Sequence, residues 1–335
     1  MFKSYKIDDE DQEAEIKFIR EKGTVSEEEK REERRVHLNS FYFEGIQPQN
    51  SDNIFFILKG TVQDRFFPRR ITYRQVCSIE SALRAYPEKL IYVIFISFDN
   101  DVMFQISKSL YGLSYQNIML TKLNIYEFMS SLAENFPHDK YLSSKHQFKH
   151  TLDIIRLFLL YKYGGTYIDN EMIVKKNVSH VKNFLCDEGY YSIIDSIMNF
   201  EQRELVEILI EDMIKNFDGN IEDQQGSILL TRVMEKLCQS PRVKMKMDRK
   251  NCEGFNILNK EICYPLDSEN YWKLFDESQT DNVLEIIKNS SIVHLFNPLS
   301  KKLTKDPKTA AGQLMMQFCP NSYQLADDHD FIEFT

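Results

Sequence analysis

Glycine is scarce in this chain of 335 residues: it contains 11, together with nine prolines and one tryptophan. That composition excludes collagen-like and Gly/Pro-rich low-complexity architectures, and it makes any adjacent glycine pair informative. No stretch approaches the roughly 20 apolar residues of a membrane-spanning helix, and the N-terminus lacks the pattern of a signal peptide. Gly-rich phosphate loops, G-x-S-x-G elbows and H-E-x-x-H zinc motifs are missing too. Positive charge is in deficit, with 42 Lys and Arg against 51 Asp and Glu and a net charge of -9. Nucleic-acid binding needs a basic footprint, so that class is excluded.

The chain is rich in aromatic and apolar residues, with 24 Phe, 17 Tyr and 42% hydrophobic content. Such a sequence buries a full core as one globular unit. Residues 1–45 differ: they are dense in charge of both signs and read as a solvated helix or disordered stem. The folded domain is expected over 46–323, followed by a short acidic tail over 324–335.

The chemistry concentrates in residues 151–176, TLDIIRLFLLYKYGGTYIDNEMIVKK. Positions 154, 155 and 157–161 are apolar or aromatic, which predicts a buried helix. That helix nevertheless carries an acid and a base three residues apart, Asp153 and Arg156, on one face. Gly164-Gly165 supplies the positive φ that ends it. Thr166-Tyr167-Ile168 then favours a strand, and Asp169-Asn170-Glu171 forms the turn that follows. In open α/β sheets, ligands bind beyond the carboxyl ends of strands, where these acids fall. Two carboxylates there suit a hard divalent cation that grips a nucleotide diphosphate, and Asp153 with Arg156 suits hydrogen bonding to sugar hydroxyls.

The segment DIIRLFLLYKYGGTYID resembles the D-x-D glycosyltransferases of the α1,4-galactosyltransferase and α1,4-N-acetylglucosaminyltransferase family. Further segments agree in order: NIFFIL (53–58), CSIESALRAYPE (77–88), GSILLTRVMEKLC (226–238), ICYPLDSENYWKLF (262–275), SSIVHLFN (290–297) and QFCPNSY (317–323). The resemblance implies a GT-A type nucleotide-binding α/β fold with a mixed central sheet flanked by helices. It implies a UDP-sugar donor, Mn²⁺ (or Mg²⁺), and retaining transfer of galactose or N-acetylhexosamine to a glycolipid or glycan in α1,4 linkage. Metal ligands would be Asp169, Glu171 and His294. Asp153, Arg156, Asp169 and Asn170 would face the donor, with Gln225, and after it Asp223, beside the reacting carbon.

Two positions depart from the family pattern: Glu171 replaces its usual Asp, and Leu58 occupies a strand position that tends to carry an acid. A non-catalytic UDP- or glycan-binding paralogue is the alternative that the Glu171 change raises. A soluble toxin-like UDP-glucosyltransferase is another. The family works in the Golgi lumen from a membrane anchor, which this sequence does not display; a cytoplasmic location is the alternative. Six cysteines allow three disulfides in 15 connectivities, and Cys77, Cys238 and Cys319 all lie in family-like segments, which favours an oxidising compartment. Asn177 and Asn289 begin N-x-S sequons. Tyr190-Tyr191 and Trp272 are read as core or as the border of the acceptor site.

Overall fold

The computed structural model describes residues 39–40, 48, 52–59, 71–97, 110, 113, 115–132, 135–189, 192–238, 252–300 and 305–326. The expectations for the charged N-terminal stretch (apart from 39–40), for Tyr190-Tyr191 and for residues 327–335 lie outside the described residues. The strands are β1 (Asn39–Ser40), β2 (Ile54–Lys59), β3 (Ile91–Ser97), β4 (Ile118–Asn124), β5 (Gly165–Ile168), β6 (Met172–Val174), β7 (Phe184–Gly189), β8 (Ser192–Phe200), β9 (Asn256–Leu258) and β10 (Ile292–His294). The helices are α1 (Tyr73–Ala85), α2 (Ile125–Ser130), α3 (His138–Leu142), α4 (Gln147–Tyr163), α5 (Arg203–Lys215), α6 (Ser227–Leu237), α7 (Lys260–Cys263), α8 (Thr280–Ile287), α9 (Asn297–Ser300), α10 (Ala310–Phe318) and α11 (Pro320–Leu325).

Eight strands form one sheet in the order β1-β4-β3-β2-β5-β8-β7-β9. The β1 to β5 portion is parallel, β8 runs antiparallel to both β5 and β7, and β9 returns parallel to β7. This mixed sheet between helices is the α/β, GT-A type arrangement expected. β2 and β3 are nearly continuous apolar runs because both sheet faces are covered. Ile54, Phe56 and Leu58 point into a core shared with α1, α8 and α10, while Phe55 and Ile57 point into one shared with α2, α4, α5 and α6. Leu58, at 2% exposure, is therefore a core residue.

α4 ends as anticipated: Gly164 adopts φ 62° and Gly165 φ 102°. A Cβ on Gly165 would lie 2.4 Å from the Asn53 carbonyl oxygen, so the close entry of β5 beside β2 requires glycine. α1 begins with a capping box in which Thr72 and Gln75 satisfy each other's amides. All six cysteines are paired, as Cys77–Cys319, Cys186–Cys263 and Cys238–Cys252. The first staples α1 to the α10–α11 junction, where the buried Glu80 carboxylate also accepts hydrogen bonds from the Ser322 amide at 2.7 Å and its hydroxyl at 2.6 Å. α11 thereby carries the folded unit across the boundary expected at 323, through Ala326. No helix among the described residues is long and apolar enough to cross a membrane.

Candidate active site

Lys149, Asp153 and Arg156 are spaced four and three residues apart on α4 and share one face. Arg156, 3% exposed, sits with Nη2 2.8 Å from Asp153 Oδ1. Its Nη1 lies 2.8 Å from Asp195 Oδ2 on β8 and donates to the Asp195 carbonyl at 2.9 Å. The guanidinium stands 5.0 Å from the centre of the Tyr167 ring, a cation–π contact that helps to fix its plane. Lys149 Nζ reaches Asp195 at 3.4 Å, Asp153 at 3.6 Å and Asp223 at 3.7 Å. The helix pair anticipated from sequence is thus one corner of a larger cluster. Asp195 was not anticipated: it is a lone acid between Ile193-Ile194 and Ile197-Met198 in a strand.

Burial and charge set the protonation of this cluster. Burial pushes Asp153 up to about 6, against the pull of Arg156 and Lys149. Burial also acts on Asp195, but Arg156 and Lys149 outweigh it and hold that carboxyl well below the usual range. Both cations are held above their ordinary values: burial works against them, and the carboxylates, Asp195 foremost, overcome it. Neither Asp153 oxygen, at 0% exposure, receives a well-aligned hydrogen bond from a protein group. Oδ1 is met by the Arg156 ion pair, so Oδ2 is the acceptor left over, and a hydroxyl of a ligand would be received there favourably.

The Asp169-Asn170-Glu171 turn leaves the end of β5 as predicted and is pinned on three sides. Asp169 N donates to Ser196 O at 2.8 Å; Ser78 Oγ on α1 donates to the carbonyls of Asp169 at 3.2 Å and Met172 at 2.6 Å. Asn170 spends its amide on Ile57 O at 3.2 Å, holding the turn to β2. Asp169 has Arg156, Asp195 and Lys149 as electrostatic neighbours; burial raises its carboxyl, with Arg156 opposing.

Glu171 meets His294. The antiparallel β6–β10 ladder pairs Met172 with His294, so the imidazole arrives beside Glu171 with Nε2 3.7 Å from its Oε2. Burial pushes His294 down to about 4, so the ring is neutral near pH 7. Its Nδ1 accepts the Phe296 amide at 3.0 Å, which puts the proton on Nε2, facing Glu171. To bind a cation at Nε2, His294 must move that proton to Nδ1 and release Phe296.

Asp169, Glu171 and His294 therefore line one edge without converging: among the described residues no three His, Cys, Asp or Glu side chains come together at metal-holding range. Their chemistry still fits a hard divalent cation, being two carboxylates and an imidazole. Asp153, Asp169, Glu171 and Asp195 also outnumber Lys149 and Arg156, leaving a surplus of negative charge that a cation would offset.

Gln225 and Gly226 complete the cleft. Gln225 is 1% exposed, and neither its amide oxygen nor its amide nitrogen has a hydrogen-bond partner in the protein. It does not cap α6, whose N-cap is Gly226 without a side-chain bond. A Cβ on Gly226 would lie 2.3 Å from Asp195 Oδ2 and 3.4 Å from Asp153 Oδ2, so backbone presses directly on the acid pair. Asp223 is largely exposed and touches the cluster only through Lys149. Trp272 is 44% exposed, on the surface and not in the core.

Sequence profiles of two regions match the chain. The "Glycosyltransferase sugar-binding region containing DXD motif" matches residues 72–191, and the "Alpha 1,4-glycosyltransferase conserved region" matches residues 199–326. Lactosylceramide 4-alpha-galactosyltransferase of Mus musculus is 28% identical over 281 residues, covering 81% of this chain and 75% of the relative. Alpha-1,4-N-acetylglucosaminyltransferase of Homo sapiens is 24% identical over 266 residues, covering 74% of each chain. Among solved structures, the bifunctional glycosyltransferase WbbM aligns with a TM-score of 0.47 at 13% identity, covering 83% of this chain and 51% of that one. The galactosyltransferase LgtC aligns at 0.41 and 12%, covering 82% and 96%. Along the folded unit the chain thus carries a DXD-containing glycosyltransferase sugar-binding region followed by an α1,4-glycosyltransferase conserved region.

Proposed function

We propose that the protein is a retaining hexosyltransferase that moves galactose or N-acetylhexosamine from a UDP-sugar to a terminal sugar of a glycolipid or glycan in α1,4 linkage. The observation that carries this reading is the buried Asp153–Arg156–Asp195 cluster, against which the Gly226 backbone presses, with the buried, unpartnered amide of Gln225 one residue before it. Asp153 accepts hydrogen bonds from donor-sugar hydroxyls while Arg156, fixed between two acids, keeps it oriented. Gln225 offers a neutral dipole to the carbon that becomes oxocarbenium-like as the glycosidic bond lengthens. Asp169 and Glu171 would hold Mn²⁺ or Mg²⁺, and His294 would be able to contribute only in the tautomer that carries its proton on Nδ1. A cation there would act as a Lewis acid on the departing diphosphate. The three disulfides support a lumenal, Golgi location over a reducing compartment.

Asp169→Asn tests the assignment. Mn²⁺-dependent UDP binding is expected to disappear while the thermal unfolding midpoint stays close to wild type; unchanged UDP affinity would sink the reading. One observation favours a second reading, a paralogue that binds UDP without turnover: Glu171 is a methylene longer than Asp and turns toward His294. Absence of UDP release from a panel of UDP-sugars with Mn²⁺, with release restored by Glu171→Asp, decides for it.

A further inference from the structure

His150 is fully buried on α4, next to Lys149 and three residues before Asp153. Its Nε2 lies 2.9 Å from Ile221 O and 3.1 Å from Glu222 O. Carbonyls only accept, so Nε2 carries the proton, and Nδ1 takes the hydroxyl of Ser144 at 2.9 Å. Ser144 Oγ also lies 3.1 Å from Gly219 O, which accepts the Lys145 amide at 3.0 Å as well. A Cβ on Gly219 would stand 2.8 Å from Ser144 Cα, so the 216–226 loop runs hard against the entry to α4. The loop also borders a cavity of about 580 Å³, lined by Ser143, Asn216, Phe217, Gly219 and Gln224 among others.

The loop carries Asp223 and Gln225, and the Gln225 amide makes no hydrogen bond of its own within the protein. Its place is set by the loop backbone, which His150 grips at 221 and 222 while Gln224 Nε2 donates to Asn216 O at 3.0 Å. The hydrogen bonds made by His150 and Ser144 tie that backbone to the start of α4, the helix that presents Lys149, Asp153 and Arg156. We infer that His150 is a positioning residue, whose Nε2–H clamps the 221–222 carbonyls and so holds Gln225 in register with Asp153 and Asp195. This rests on the transferase reading above, in which Gln225 faces the reacting carbon.

The experiment compares wild type, His150→Gln and His150→Phe. The glutamine amide can donate to the same carbonyls; phenylalanine fills the space and donates nothing. Three quantities are read: hydrogen exchange of the 218–226 amides, UDP affinity with Mn²⁺, and turnover of UDP-galactose to UDP by transfer to water. For His150→Phe, exchange in the loop rises by about tenfold or more. Its kcat falls by at least about tenfold, the cost of one lost hydrogen bond in free energy. UDP affinity and KM stay within about twofold of wild type, and His150→Gln recovers most of both losses.

Equal loop exchange in wild type and His150→Phe overturns the inference, as does a parallel collapse of UDP affinity and kcat. His150→Gln behaving no better than His150→Phe overturns it as well. A wild-type protein that binds UDP but never releases it from a UDP-sugar sinks the transferase reading instead, and the exchange comparison then decides the clamp alone.

Discussion

Arg156 Nη1 stands 2.8 Å from Asp195 Oδ2 and 2.9 Å from the carbonyl oxygen of the same residue. One guanidinium nitrogen therefore reads both side chain and backbone of β8, while Nη2 holds Asp153 on its own helix. Removing one member of such a buried pair strands the other's charge, which costs about 3–5 kcal/mol. Asp195→Ala is expected to lose most of that amount in chemical denaturation, softened because Asp153 still faces Arg156. Asp195→Asn keeps the shape and is expected to lose less stability, with UDP-galactose turnover down about a hundredfold or more through the misplaced Arg156. Near-wild-type turnover in Asp195→Asn would remove Asp195 from the site.

Gly226 makes a separate demand on the same pair. Its missing Cβ would lie 2.3 Å from Asp195 Oδ2, far inside van der Waals contact. Gly226→Ala must push Asp195 away or displace the start of α6, and overpacking of this kind costs about 1–3 kcal/mol. The expected outcome is a folded protein with turnover reduced more strongly than UDP binding, because the clash falls on Asp195 and Asp153, the pair proposed to meet the donor sugar. Titration of UDP by calorimetry beside a turnover assay separates the two.

How far the residues announce this architecture varies along the chain for physical reasons. α4, β5 and the acidic turn were readable because an all-apolar helix, a Gly-Gly stop and a short β-branched strand each have a strong local signature. Asp195 was not, since a single acid in a strand reads as ordinary alternation until the antiparallel β5–β8 pairing carries it over α4. Gln225 precedes a helix, where its type reads as a cap, and only the resemblance marked it; the fold shows that its amide caps nothing. His150 looked like any unpaired histidine, because the carbonyls that its Nε2 meets lie 71 and 72 residues later in a loop. Disulfide connectivity was open among 15 choices, being a property of the folded sheet rather than of spacing.

The Cys77–Cys319 bond spans 242 residues of sequence and joins α1 to the last two helices. In the chain-entropy account a loop of that length gives about 5 kcal/mol, and removal of native bridges typically costs 2–5. Cys319→Ser is expected to lower stability by at least about 2 kcal/mol, and by more than Cys252→Ser, whose bridge spans 14 residues. Denaturation with and without reductant, beside peptide mapping of the bridges, checks the order. Equal losses from the two variants would contradict it.

His294 makes stability depend on pH in a direction the site fixes. Burial lowers its folded value to about 4, below the ordinary 6.5, so the folded state refuses a proton that the unfolded chain accepts. Above pH 6.5 neither state is protonated and the group contributes nothing. As pH falls from 6.5 toward 4 the unfolded chain gains the proton first, and stability is lost, on the order of 3 kcal/mol in full. Asp153 works oppositely in part of that window: burial raises it to about 6, so the folded state takes up a proton before the unfolded one and stability is regained as pH falls below 6. The comparison of wild type with His294→Gln isolates the first effect, since Asp153 is common to both. The variant is expected to show a flatter, or even rising, stability between pH 6.5 and 4, and its apparent affinity for Mn²⁺ in the presence of UDP should weaken about tenfold. An unchanged acid limb would place the His294 ring in water and dissolve its pairing with Glu171.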